Sequence, residues 1–248
     1  MLPLKIFIIN LSNSTTRREA MVSRMRELGC DFEIFEAIDG RISPHPLFQR
    51  YDGRRCLSAR RKALSGGELG CWASHYLLWQ LCVDRDCPIV VMEDDVTIDD
   101  SFTDALSIAS KQLRHFKYLR FAGLSLDRRP YRMVGSIGPF GVADHVRGPS
   151  GTQCYIIHPE AAKKLLKHSS TWFLAVDDYI DRYWIHGVDC YSLMPFPVTI
   201  PPLPSDMARL EKKRISPYWK LRQEIFRRTE RLRRFFYRLL FREKIFIK

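Results

Sequence analysis

No run in this sequence approaches the ~20 consecutive apolar residues that a transmembrane helix requires. The apolar opening, residues 1–9, is too short for the hydrophobic region of a secretory signal, and Asn10 interrupts it. No C-x-x-C pair occurs among the seven cysteines, and an odd, scattered set suits neither a disulfide framework nor a zinc site. No internal repeat is visible. These absences lead us to expect a protein of the reducing cytoplasm.

What is present is ordinary in amount and uneven in placement. Hydrophobic residues at 46% and aromatics at 12% suffice for a packed core, which excludes disorder throughout. A length of 248 residues fits one globular domain with an appendage. Residues 209–248 carry 15 Lys and Arg against 4 Asp and Glu, whereas the 208 residues before them carry 25 against 24. The body is therefore near neutral, so the chain is not read as a nucleic-acid binder.

Residues 5–11 form a short β-branched and aromatic run, the pattern of a buried strand. Met21, Val22, Met25 and Leu28 recur at helical spacing, and Gly29 stops that helix. Residues 32–38 alternate as a second strand closed by Asp39-Gly40. Residues 41–62, rich in Arg and Pro, predict a long loop. A helix is expected over 65–86, with Ser65 and Glu68 in capping-box spacing. The apolar run 87–92 reads as a central strand covered on both faces, and it ends in Glu93-Asp94-Asp95. Downstream we expect a helix over 101–116, a strand over 118–124, a hairpin or lid over 128–146 and a strand over 154–157. Pro159 then opens a helix, another follows over 176–185, and 188–193 is the last strand before prolines that forbid regular structure. The alternation predicts an α/β domain with a mostly parallel sheet, whose ligands sit beyond the carboxyl ends of its strands.

Three adjacent carboxylates at such an end repel one another unless a cation joins them. Mn²⁺ or Mg²⁺ typically takes one or two protein carboxylates and completes its shell with substrate phosphates. A helix cap or a solvated loop is the plainer alternative. Asn10 and Asp39 end the first two strands, so a parallel sheet brings them to the same edge, where Asn10 could read a base and Asp39 a ribose. Arg17 and Arg18 could answer phosphates, or simply form an exposed helix face. Trp72, Trp79, Trp172 and Trp184 could stack on sugars, although buried aromatics are commoner.

Ile9-Asn10-Leu11 with Arg17-Arg18, then Phe35 to Gly40, then Gly67-Glu68-Leu69-Gly70-Cys71 with Ser74-His75, then Glu93-Asp94-Asp95, resemble glycosyltransferase family 25. Cys154 to Ile157, Ala161 to Leu165 and Val176-Asp177-Asp178 continue the likeness in the family's order. The resemblance implies a GT-A-like, Rossmann-like fold over 1–208, a UDP-hexose donor (UDP-galactose most often) and inversion at the anomeric carbon. It implies a divalent metal held by Asp95 and Asp94, with Glu93 contacting the donor sugar or supporting the pair. Glu68 and His75 are expected beside the donor, and Asp177 or Asp178 as general base, with Asp127 a weaker choice. Thr16 departs from the family where an acidic residue is common. The branch implied is that of bacterial lipooligosaccharide enzymes. Alternatives are another UDP-sugar such as UDP-glucose, or a non-catalytic, membrane-docked sugar-nucleotide binder.

Within the tail, 209–248, Leu221, Ile225, Leu232, Phe235, Phe236 and Leu239 fall within a ~100° arc that Arg228 breaks, on a helix otherwise rich in arginine. Such a helix suits an anionic membrane surface bearing a lipid-linked oligosaccharide acceptor. We therefore expect a peripheral location on the inner face of the cell membrane. Packing of the helix on the domain, or tail-to-tail pairing into a homodimer, are the other uses of that stripe.

Overall fold

Both faces of the central strands are covered, as their apolar sequences require. In a computed structural model, which describes residues 4–124, 130–201 and 216–241, the strands are β1 (Lys5–Asn10), β2 (Phe32–Glu36), β3 (Ile89–Glu93), β4 (Thr97–Ile98), β5 (Tyr118–Arg120), β6 (Tyr131–Ile137), β7 (Phe140–His145), β8 (Cys154–Ile157), β9 (Tyr191–Met194) and β10 (Val198–Thr199). The helices are α1 (Thr15–Glu27), α2 (Gly53–Arg60), α3 (Gly66–Asp84), α4 (Phe102–Ser110), α5 (Pro159–His168), α6 (Val176–Ile180), α7 (Tyr183–His186) and α8 (Pro217–Leu240).

Eight strands form one sheet in the order β2-β1-β3-β8-β5-β9-β7-β6. The β1–β2, β1–β3 and β5–β9 pairs are parallel, while β8 runs antiparallel to both its neighbours and β7 to both of its own. Six strands thus share one direction and two oppose it. Along β1 the side chains alternate between two cores. Phe7 and Ile9 face Trp72, Trp79 and Leu165 of α3 and α5. Ile6 and Ile8 face Met21, Met25 and Phe102 of α1 and α4. This is the α/β architecture that the alternation of elements predicted.

Several local expectations change. The long loop predicted for 41–62 contains a 3₁₀ turn, Pro46–Arg50, and α2, whose N-terminus Asp52 caps by accepting from the Arg55 N–H at 2.9 Å. Only Cys56 and Ala59 of α2 are buried, too few to give a periodic signal. The helix expected over 176–185 breaks into α6 and α7 because Asp181 and Arg182 turn inward to ion partners. The 101–116 helix stops at Ser110. Among the prolines, Val198–Thr199 still pairs with β4. Asp127 lies outside the described residues, as do residues 209–215 and 242–248 of the predicted tail.

The tail helix α8 packs on the domain, through a face other than the apolar stripe. Gln223 is buried and donates to the Ala59 carbonyl at 3.1 Å; Arg182 reaches Glu230 at 2.6 Å and 2.9 Å; Arg238 approaches Asp144. Every residue of the predicted stripe stays more than half exposed, from Phe236 at 53% to Leu239 at 67%. Among the described residues no helix is long and apolar enough to cross a membrane.

Candidate active site

The parallel register of β1 and β3 sets Ile9 opposite Glu93. The next residues along, Asn10 and Asp94, therefore meet at the carboxyl edge, where Asn10 Nδ2 donates to Asp94 Oδ2 at 2.6 Å. Arg17, from the start of α1, donates to the other oxygen, Asp94 Oδ1, at 2.8 Å and to Ser14 Oγ at 2.9 Å. Both carboxylate oxygens of Asp94 are thus engaged. Asp95 is different: it is exposed, and no described cation pairs with it. Partial desolvation in the cleft, then the charges of Glu93 and Asp94, push its carboxyl above the ordinary range.

Glycines in α3 bring the third wall close. A Cβ on Gly70 would lie 2.1 Å from the Ile38 carbonyl oxygen, and one on Gly66 would lie 2.4 Å from that of Gly40. Ser74 closes the contact, accepting from the Ile38 N–H and donating to the Gly70 carbonyl, each at 2.9 Å. Asp39 is carried into the cleft, where Arg41 binds both its oxygens and holds its carboxyl down at about 2.

Glu93 is fixed from the opposite side. Thr152 Oγ1 donates to its Oε1, and His75 Nε2 reaches the same oxygen at 3.3 Å. Burial raises the Glu93 carboxyl, but the hydrogen bonds from His75 and Thr152 outweigh it and leave the group below its ordinary value. Behind His75 runs a chain in which Trp79 Nε1 donates to Tyr155 Oη at 3.0 Å and Tyr155 Oη contacts His75 Nδ1 at 2.8 Å. With the Tyr155 hydroxyl donating to Nδ1, a neutral imidazole carries its proton on Nε2, toward Glu93.

Arg17, Asp39, His75, Glu93, Asp94 and Asp95 line one cleft of about 220 Å³. A second hollow of about 470 Å³ adjoins it, sharing Arg17, Asp94 and Asp95 and walled by Met21, Ile98 and Ile200. Other expectations are met differently. Asn10 is 2% exposed and supports Asp94 from beneath instead of facing a ligand. Glu68 completes the capping box with Ser65 and pairs with Arg60. Arg18 turns away, into a surface groove with Thr15 and Glu19. Trp72, Trp79 and Trp172 are core residues, at most 1% exposed, and so cannot stack on a sugar.

Asp177 and Asp178 diverge. Asp177 Oδ2 accepts from the Gly151 N–H at 3.0 Å, one residue before Thr152, whereas Asp178 lines a separate cavity beneath α8. The loop between them and Glu93 hangs on a buried ion pair: Arg120 binds Asp181 at 2.7 Å and also donates to the Ser150 and Gly151 carbonyls. Sequence reading missed Arg120, Gly151, Thr152 and Asp181. The small-residue run Gly148 to Gly151 before β8 was the one available signal.

Ligand atoms of Cys71, His75 and Glu93 lie within 4.8 Å of one another and could surround a metal ion. Both imidazole nitrogens and the near oxygen of Glu93 are already hydrogen-bonded, so this set is the poorer fit. Asp95 is the better one, with Asp94 available once Arg17 leaves it.

The sequence model of a family described as "Glycosyltransferase family 25 (LPS biosynthesis protein)" matches residues 3–134. A "Glycosyltransferase 25 family member" of Aedes aegypti is 29% identical over 186 residues, covering 71% of this chain and 30% of the relative. "Procollagen galactosyltransferase 1-B" of Xenopus laevis is 27% identical, covering 76% and 32%. "Lipooligosaccharide biosynthesis protein lic2B" of Haemophilus influenzae is 30% identical over 183 residues, covering 69% and 67%. The chain thus spans about a third of the insect and frog relatives and two thirds of the bacterial one.

Proposed function

The chain belongs to glycosyltransferase family 25, and on that premise we propose that it transfers a hexose from a UDP-sugar onto a lipooligosaccharide-type acceptor, with inversion. Galactose is the sugar carried in the frog relative's name, and lipooligosaccharide synthesis the process in the bacterial one's. The observation that carries the reading is the convergence of Asp94 and Asp95 with Arg17, Asp39 and His75 in one cleft at the carboxyl edge of β1 and β3.

The cleft fits a divalent cation at Asp95, which pairs with no described cation, and at Asp94 after it exchanges Arg17. When bound, Mn²⁺ or Mg²⁺ would neutralise the diphosphate and steady it as a leaving group. The chain's own residues supply the rest. Arg17, released from Asp94, is placed to answer a phosphate. Asp39, ionised at any physiological pH, can accept from ribose hydroxyls. The acceptor oxygen attacks the anomeric carbon as the bond to the diphosphate breaks, and its proton passes to a carboxylate of α6, Asp177 or Asp178. Glu93, gripped by Thr152 and His75, holds the end of β3 in register with the donor.

The exposed stripe of α8 supports a peripheral site on an anionic membrane. It presents Leu232, Phe235, Phe236 and Leu239 outward, flanked by arginines. A second reading, a donor-binding protein without turnover, is favoured by the full engagement of Asp94. Screening UDP-sugars for UDP release with and without Mn²⁺ or Mg²⁺, across glycan acceptors, separates the two. Metal-dependent release supports transfer, and binding without release across the panel supports the second reading.

A further inference from the structure

Docking of α8 encloses a cavity of about 680 Å³ whose charge is strongly one-sided. Among the described residues, Arg60, Lys62, Arg147, Arg182, Arg227, Arg231 and Arg234 line it, against Asp178 and Glu230. Glu230 is already spent: it accepts from Arg182 at 2.6 Å and 2.9 Å and from Trp184 Nε1 at 3.0 Å. Arg60 is paired with Glu68. Arg147, Arg227 and Arg231 make no ion pair with any described acid. Arg234 lies over the Trp184 ring, 5.4 Å from its centroid. Burial lowers its pKa against the opposing pull of Tyr183, and repulsion from Arg147, Arg238 and Arg231 lowers it further.

A solvated basic helix face would spread such charges outward. Here Arg147, Arg227 and Arg231, although exposed, border with Arg234 a concavity that also offers the apolar surfaces of Leu174, Phe226 and Trp184. Guanidinium groups bind phosphate bidentately, and an aromatic face beside them gives an apolar surface against which a sugar's C–H face can lie. The cavity has Asp178 on its wall, while the adjacent Asp177 bonds to Gly151 on the side of Glu93. α6 thus presents Asp178 to this cavity and Asp177 to the Gly151-Thr152 segment, whose Thr152 holds Glu93 of the donor cleft. We infer that this cavity is the acceptor subsite for a phosphate-bearing saccharide, with Arg147, Arg227, Arg231 and Arg234 holding the phosphate. The inference rests on the transferase reading and adds the acceptor's chemistry to it: an anionic sugar, with Asp178 the carboxylate nearest its hydroxyls.

Isothermal titration of the full chain, saturated with UDP and Mn²⁺ to fill the donor cleft, tests it with galactose 6-phosphate against galactose. The expected result is at least tenfold tighter binding of the phosphate sugar, competition by inorganic phosphate, loss of the preference in R227A/R231A and its return in R227K/R231K. Both arginines are exposed, so the variants should fold, and matching near-ultraviolet dichroism checks this. Equal binding of the two sugars, or a preference that survives R227A/R231A, overturns the inference. So does binding of phosphatidylglycerol vesicles that depends on the two arginines with no binding of the sugar phosphate, because the anion would then be a lipid headgroup. A separate titration of UDP into the unliganded chain, with and without Mn²⁺, reports the donor cleft on its own. Metal-dependent UDP binding without sugar-phosphate binding removes this inference alone; the converse removes the donor reading alone.

Discussion

Arg17 sits on Asp94 at 2.8 Å, in the position that a metal ion or a phosphate would contest. With Asn10 on the other oxygen, Asp94 is held in place while no donor is bound. The pair is open to solvent on the Arg17 side, where such contacts contribute about 0.2–1 kcal/mol. Replacing Arg17 with Ala should therefore strengthen Mn²⁺ binding to the empty protein by up to about fivefold. The same change should weaken UDP binding by roughly 10–100-fold, the worth of a charge-assisted bond to phosphate. Calorimetry with each ligand separately checks both signs.

Asp95 should show the reverse. Its raised pKa means that protonation relieves the folded protein. That contribution to stability is present below the ordinary aspartate value and is lost as pH rises through the raised one. Mn²⁺ should restore stability above that window and bind more weakly as pH falls into it. In Asp95→Asn both the pH dependence and the Mn²⁺-induced rise in melting temperature should vanish, and UDP release should fall at least 100-fold. Thermal melts across pH 4–7, with and without Mn²⁺, read this directly.

The Arg120–Asp181 pair is buried, so leaving either charge alone is costly. Asp181→Ala should destabilise by about 3–5 kcal/mol, lowering the melting temperature on the order of 10 °C. The double substitution Arg120→Met with Asp181→Leu should recover part of that loss. Urea unfolding of both variants beside the unmodified chain tests this.

Gly70→Ala places a methyl against the Ile38 carbonyl and must move the segment that carries Asp39. A loss of roughly 1–3 kcal/mol in stability is expected, together with weaker uridine binding. Unchanged affinity for uridine would mean that Asp39 does not touch the nucleoside.

For the tail, Leu232→Ser with Phe236→Ser should abolish co-sedimentation with anionic vesicles while shifting the melting temperature little, because both side chains are more than half exposed. A large fall in stability instead would show that the stripe is covered.

The sequence was most readable where one element does one thing. The apolar run 87–92 read as a two-sided strand, and β3, Ile89–Glu93, is one, with its acidic end at the carboxyl edge of the sheet. The capping box of Ser65 and Glu68 formed as spaced. Position along β1 and β3 brought Asn10, Asp94 and Asp95 together without any tertiary knowledge. What stayed hidden depends on long-range partners. Arg120 reads as an ordinary strand residue until Asp181, 61 positions later, turns in to meet it. Thr152 gains meaning only because β8 is inserted antiparallel beside β3. The amphipathic stripe of α8 was legible, but the docking face was not, since Gln223 and Glu230 look like solvent residues until Ala59 and Arg182 are opposite them.

The central claim is that a divalent cation joins the Asp94–Asp95 pair to the donor diphosphate. Calorimetric titration of UDP into the protein, with Mn²⁺ and then with excess chelator, tests it without requiring an acceptor. Binding should be at least tenfold tighter with Mn²⁺ in the unmodified chain, and the gain should be absent in Asp95→Asn. Equal UDP affinity with and without the chelator would contradict the account.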